Sequence, residues 1–260
     1  MKCNIDKLYS DESVEQWKQI IGEELHYHNG YFIGQEDLST GLRQTVRNFY
    51  PYISPGSKVL DAGCGWGGPA RMLIEEHNCL VQGITISKLQ AEYCQSIGLN
   101  VWQQDLEKDE IPGEYDVILS LEVLSHIYDK AMLLHRFRQN APRLILSVNC
   151  VSDNFLGERT TFNDSMILCS TSELVRYLTN EGWRIQSLKN RRFYSIPTIK
   201  YWRENLERVY GNHTPPGQFN LLRNLTDAAF KSIGAWCQAF PLIDIIAADG
   251  ATKMARIEIK

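Results

Sequence analysis

The segment Val59-Leu60-Asp61-Ala62-Gly63-Cys64-Gly65-Trp66-Gly67-Gly68 constrains the fold more than any other, because a short apolar strand runs directly into four glycines. Glycines at this density let the backbone turn sharply, approach a ligand closely and open a helix whose first amide groups remain free. By spacing, Gly63, Gly65 and Gly68 satisfy the fingerprint of dinucleotide readers, a weak signal on its own. Such readers place an acidic residue about 20 positions further on to hold the ribose hydroxyls. Thr85 occupies that place, and the carboxylate sits instead at Asp61, just ahead of the first glycine. A carboxylate there suits an amine or a bound water beside the turn better than a pyrophosphate.

Around this turn, strand and helix patterns alternate from residue 58 to residue 192, which predicts an α/β fold with a doubly wound, mostly parallel sheet. Strands are expected at 58–61, 80–85, 99–103, 115–121, 143–148 and 184–188. Their apolar runs fit burial on both faces. Residues 252–259 alternate polar and apolar, as an outer strand of a mixed sheet does. Two regions fall outside the alternation. Near the N-terminus, Val14, Trp17, Ile20 and Ile21 recur at helical spacing before an aromatic and His-rich loop. Later, Trp202, Leu206 and Val209, then Leu221, Leu225, Ala229 and Ile233, give two helical faces around a His-Thr-Pro-Pro-Gly break. The expected organisation is one domain over 1–260, with a helical lid at 1–50, a core at 51–193, a cap insert at 194–250 and a last strand at 251–260.

Composition narrows the function classes. A net charge of −4 with 22% charged residues gives no basic footprint for nucleic acid. No apolar run approaches a membrane span, and no signal-peptide core follows Met1, so a cytoplasmic protein without stable membrane insertion is expected. Seven cysteines, odd in number and without C-x-x-C spacing, read as reduced thiols, and no spacing requires a metal.

The run Asp61-Ala62-Gly63-Cys64-Gly65-Trp66-Gly67 resembles the first motif of class I S-adenosylmethionine (SAM) dependent methyltransferases, and further matches extend over roughly residues 55–150. That resemblance implies a Rossmann-like sheet of seven strands with the last one reversed, and SAM as cofactor at the carboxyl ends of the strands. It places Asp61, Gly63 and Gly65 on the cofactor, with Trp66 either stacked on the adenosine or packed behind the helix. Gly83-Ile84-Thr85-Ile86-Ser87-Lys88-Leu89-Gln90 resembles a segment of the cyclopropane fatty acid synthase and sterol or terpene C-methyltransferase branch. It implies that Thr85 and Gln90 flank the ribose, with Ser87 capping the next helix. Asp105, followed by Leu106, stands where the family uses an acid on the adenine amino group, while Leu121 and Tyr31 complete the expected cofactor contacts.

The fourth strand leads into Glu122-Val123-Leu124-Ser125-His126, which resembles the Glu-x-x-x-His segment of small-molecule methyltransferases, including sugar O-methyltransferases and indole or terpenoid C-methyltransferases. By that resemblance His126 is the general base, and Glu122 orients the site or contacts the cofactor. Tyr201-Trp202-Arg203-Glu204-Asn205-Leu206 resembles the Trp-x-x-Asn-Leu helix that the C-methyltransferase branch lays over its acceptor pocket. His28, Tyr194, Tyr201, Trp202 and His213 are accordingly the substrate-binding candidates. Two departures stand out. The usual Pro-Gly-Gly turn before the fifth strand is replaced by Asn140-Ala141-Pro142-Arg143, and the Glu-His pair of cyclopropane synthases appears as Ser125-His126, so lipid cyclopropanation is not expected. The expectation is methyl transfer to oxygen, nitrogen or carbon of a hydrophobic or aromatic small molecule in specialised metabolism. The rivals are a degenerate methyltransferase fold acting as a scaffold and, disfavoured by Thr85, an NAD-dependent oxidoreductase.

Overall fold

The computed structural model describes residues 12–161 and 166–250. Helix α1 (Val14–Ile21) opens on a capping box between Ser13 and Gln16, and α2 (Leu38–Arg47) on an Asp37 cap. The alternation then runs β1 (Lys58–Ala62), α3 (Gly68–His77), β2 (Leu80–Thr85), α4 (Lys88–Ser96), β3 (Val101–Gln103), β4 (Val117–Leu121), α5 (Lys130–Asn140) and β5 (Arg143–Asn149). A small antiparallel pair, β6 (Thr160–Thr161) and β7 (Met166–Ile167), precedes α6 (Thr171–Asn180) and β8 (Trp183–Asn190). Helices α7 (Arg192–Tyr210), α8 (Gly217–Lys231) and α9 (Ile233–Ala239) lead to β9 (Leu242–Asp249).

The large sheet has seven strands in the order β3-β2-β1-β4-β5-β9-β8, all parallel except β9, which runs antiparallel to both neighbours. Strand order reverses between β1 and β4, so the segments leaving their carboxyl ends diverge and open a crevice there. Leu133, Leu134 and Phe137 of α5 and Leu174 and Leu178 of α6 cover one face, and Val46, Met72 and Leu73 belong to the core of the other. A third core joins Trp17, Ile20 and Ile21 of α1 to Trp202 and Leu206 of α7 and Phe219 and Leu222 of α8. The N-terminal helix and the cap therefore share buried side chains.

The last strand corrects the sequence reading. The expected 252–259 segment lies outside the described residues, and the reversed strand of the sheet is 242–249, within the stretch assigned to the cap. Leu242-Ile243 and Ile245-Ile246-Ala247 are buried on both faces between β5 and β8, so the segment carries no two-residue alternation to mark it as a strand.

Candidate functional site

A cavity of about 800 Å³ opens between the carboxyl ends of the strands and the helices of the cap. Small-molecule sites span roughly 300–1,000 Å³, so this volume accommodates a cofactor and an acceptor together.

One wall is the glycine turn. Gly63, Gly65 and Gly67 all adopt positive φ, which side chains rarely tolerate. A Cβ on Gly63 would overlap Val123, whereas at Gly65 the nearest atom is Gln90 Nε2 at 4.0 Å, so the turn stays open toward the cavity. Asp61, at 2% exposure, lines this wall. Burial pushes its carboxyl up to about 7 against the opposing hydrogen bond from the Ala70 backbone, and Oδ2 has no partner.

Further along, Ser87 caps α4 by accepting from the Gln90 amide, and Thr85 Oγ1 donates to Gln90 Oε1 at 2.7 Å. This leaves the Gln90 amide nitrogen toward the turn. Asp105 and Leu106 also line the cavity. The Asp105 carboxylate already accepts from the Glu107 amide (2.9 Å) and from Lys108 Nζ (2.6 Å), while the neighbouring Gln104 Oε1 is buried without a partner. The orphaned oxygen at this end of the cavity thus belongs to Gln104, which the sequence reading passed over.

Glu122 follows β4 with φ of +62°, a conformation costly for a residue with a side chain, and it is clamped there. Its Oε1 accepts from the Asn29 amide (2.6 Å), and its Oε2 from Asn29 Nδ2 (2.7 Å) and Asn149 Nδ2 (3.0 Å). Arg191, 2% exposed, lies 3.6 Å away and also binds Asp244 at 2.8 Å. Burial alone would raise the Glu122 pKa, yet Arg191 and the Asn29 and Asn149 bonds together hold it below the ordinary glutamate value. Glu122 is thus a fixed, ionised carboxylate. His126 ends a short 3₁₀ turn, Leu124–His126, and faces the same cavity.

His28 lines the cavity, but both its ring nitrogens are engaged. Nδ1 meets the Asn29 carbonyl at 3.1 Å and Nε2 meets His26 Nδ1 at 3.1 Å. Because a carbonyl only accepts, His28 carries its proton on Nδ1, and His26 donates to its Nε2. Burial pushes His28 down to about 4, so the ring is neutral and has no nitrogen left for a substrate.

Several expected contacts lie elsewhere. Trp66 packs against Trp17 and Tyr93 behind the turn, 2% exposed, because the flanking glycines direct it into the shared lid and cap core. Tyr31 stacks on Tyr194 with ring centroids 4.6 Å apart beside a separate, smaller cavity, so neither reaches the main one. Tyr201 turns toward Phe32 and donates its hydroxyl to the Glu36 carbonyl. His213 is exposed in the α7–α8 turn, where its carbonyl accepts from Arg223. Trp202 alone of the cap candidates reaches the main cavity, beside Leu222, Leu225, Ala228, Trp236 and Phe240. The polar residues Asn149, Arg192 and Gln218 line it too and were missed. Asn149 ends β5 and the Arg191-Arg192 pair follows β8, and this placement at strand ends is the one signal that singles them out.

The sequence profile described as mycolic acid cyclopropane synthetase matches residues 4–214. The cyclopropane-fatty-acyl-phospholipid synthase of Escherichia coli K12 is 24% identical over 132 residues, 48% of this chain and 34% of that protein. Phosphoethanolamine N-methyltransferase 3 of Arabidopsis thaliana is 35% identical over 138 residues, 50% of this chain and 26% of that protein. The matched stretches thus span well under half of either relative. The solved structure of the cyclopropane synthase MmaA2 of Mycobacterium tuberculosis superposes with a TM-score of 0.82 at 16% identity, covering 95% of this chain and 99% of that one. This last likeness bears on the fold alone.

Proposed function

The chain belongs to the mycolic acid cyclopropane synthetase family, and from that premise we propose that it is a SAM-dependent methyltransferase acting on a hydrophobic or aromatic small molecule. The observation that carries the reading is the buried Asp61 carboxylate, with one oxygen bare, beside a glycine turn that is open at Gly65. A buried carboxylate without a partner is costly, and a cationic amine is the group that relieves it. When bound, SAM supplies a methyl group on a sulfonium, electrophilic enough to be taken by oxygen, nitrogen or carbon.

The residues divide the work by position. Asp61 accepts from the ammonium, and Gly63 and Gly65 let the backbone lie against the amino acid end. Thr85 and Gln90 meet the ribose, while Gln104, Asp105, Leu106 and Leu121 enclose the base. Glu122, held by Asn29, Asn149 and Arg191, fixes the edge between cofactor and acceptor. His126 takes the proton from a hydroxyl or amine acceptor. Trp202, Leu222 and Leu225 provide an apolar wall that excludes water and holds the acceptor body. Ser125, buried with its hydroxyl donating to the Glu122 carbonyl, stands where the cyclopropane synthases carry a carboxylate. This favours simple methyl transfer over cyclopropanation. A role in specialised metabolism fits the acceptors for which similar proteins are named, demethylrifamycin and tocopherol among them.

Calorimetric titration with S-adenosylhomocysteine tests the reading. Saturable binding is expected, weakened about 10- to 100-fold in Asp61→Asn, which keeps the shape but loses the charge. Saturable binding of NAD with none of S-adenosylhomocysteine would overturn it. For the base, His126→Ala should lower turnover about 10²- to 10⁴-fold with S-adenosylhomocysteine affinity retained, and unchanged turnover would remove His126 from the mechanism.

A further inference from the structure

Arg192 is the first residue of α7 and is only 2% exposed, yet its guanidinium lines the cavity on the acceptor side. Among the described residues nothing neutralises it directly. Nε donates to the Phe240 carbonyl at 2.7 Å, Nη2 to Asn149 Oδ1 at 2.5 Å, and Nη1 to Ser195 Oγ at a long 3.5 Å. Among the described residues no carboxylate oxygen lies within 4.0 Å of this guanidinium, whereas its neighbour Arg191 is flanked by both Glu122 and Asp244. The Trp236 ring lies 4.5 Å from the Arg192 guanidinium carbon and covers one face of the group. Burial lowers the Arg192 pKa to about 10, with Glu122 opposing, so the side chain remains a cation at neutral pH.

A fixed, desolvated guanidinium beside the apolar side chains of the cap is expensive unless an anion joins it. We propose that Arg192 receives a carboxylate of the acceptor, so that the molecule methylated is an apolar or aromatic carboxylic acid whose body lies along the cap. This rests on the methyltransferase reading of the same cavity and names the acceptor class within it. The donors left over suffice for a carboxylate: Nη1 and Nη2 each keep one N–H, one for each carboxylate oxygen. A phosphate dianion fits less well. Asn149 bridges Arg192 to the ionised Glu122, which would repel a second negative charge. Arg192 is a specificity residue, and the acid is recognised whether the methyl group goes to it or to another atom of the acceptor.

The test uses matched acids and primary amides: naphthylacetate with naphthylacetamide, cinnamate with cinnamamide, and dodecanoate with dodecanamide. Each is titrated by tryptophan fluorescence into the full-length protein, with and without S-adenosylhomocysteine. At least one acid is expected to bind about 10- to 100-fold tighter than its amide. That preference should vanish in Arg192→Met and survive in part in Arg192→Lys. Absence of any acid preference in all three pairs overturns the proposal, as does a preference that persists undiminished in Arg192→Met. Variant folding is judged by retained S-adenosylhomocysteine binding, and if neither variant folds the wild-type pairs decide the matter. Failure of the wild type to bind S-adenosylhomocysteine would instead remove the methyltransferase reading, and the comparison without it remains readable, so the two failures are distinct.

Discussion

Asp61 shows how a single side chain couples the fold to its ligand. Burial raises its pKa to about 7, above the ordinary aspartate value, so the folded chain without ligand favours the protonated form. Its contribution to stability is therefore complete below the ordinary aspartate range and is lost as the pH rises through about 7. A cationic amine reverses the preference, because it pairs with the ionised form. S-adenosylhomocysteine is accordingly expected to bind with proton release below pH 7, tightening as the pH rises through that value and levelling above it. In Asp61→Asn the slope should disappear, and calorimetry across that range checks both. The position of Asp61 was visible in the sequence because it sits beside the glycines. The engagement of His28 was not, since His26 and the Asn29 carbonyl occupy its two ring nitrogens and burial keeps the ring neutral, conditions that exist only after the loop has folded.

At the scale of elements, the turn after β1 is written in residues next to one another. Gly63 and Gly98 test this, because both have strongly positive φ, at +87° and +84°, but only Gly63 lies against another side chain. Gly98→Ala should cost only the backbone strain, about 1 kcal/mol. Gly63→Ala adds an overlap with Val123 and should cost about 2–4 kcal/mol, read as a fall in the urea midpoint. Equal losses at the two sites would mean that Val123 moves aside freely. Most strands and the capped start of α4 were readable by the same local logic, through apolar runs and a serine ahead of a helix. The strand at 242–249 escaped it, because its apolar run follows the cap helices directly, and without a two-residue period a buried strand reads like a buried helix.

At the scale of the whole molecule, the roof of the cavity depends on contacts between distant parts of the chain. Trp17, fully buried, lies 4.9 Å from Phe219 and 4.7 Å from Tyr27 by ring centroids, and Tyr27 in turn meets Trp202 at 5.5 Å. The Gly30 amide also donates to Thr198 Oγ1 of α7 at 2.8 Å. Trp17→Ala should cost about 3–5 kcal/mol and lower the melting temperature by on the order of 10 °C, because the cavity it leaves undermines lid and cap together. A loss below about 1 kcal/mol would show that the two do not depend on each other for stability.

The amino-acid sequence by itself determined the doubly wound fold, the glycine turn with its carboxylate, and the strand ends where a cofactor would sit. Those features rest on backbone preferences and residue periods, which act between near neighbours and survive any change of distant context. Tertiary structure alone decided how the site is wired. It brought Asn29, Asn149 and Arg191 from three separate segments around Glu122, turned Tyr31, Tyr194 and Tyr201 away from the main cavity, and left Arg192 facing it with no ion pair among the described residues. Burial and long-range hydrogen bonding set those outcomes, and neither exists until the strands, lid and cap have packed.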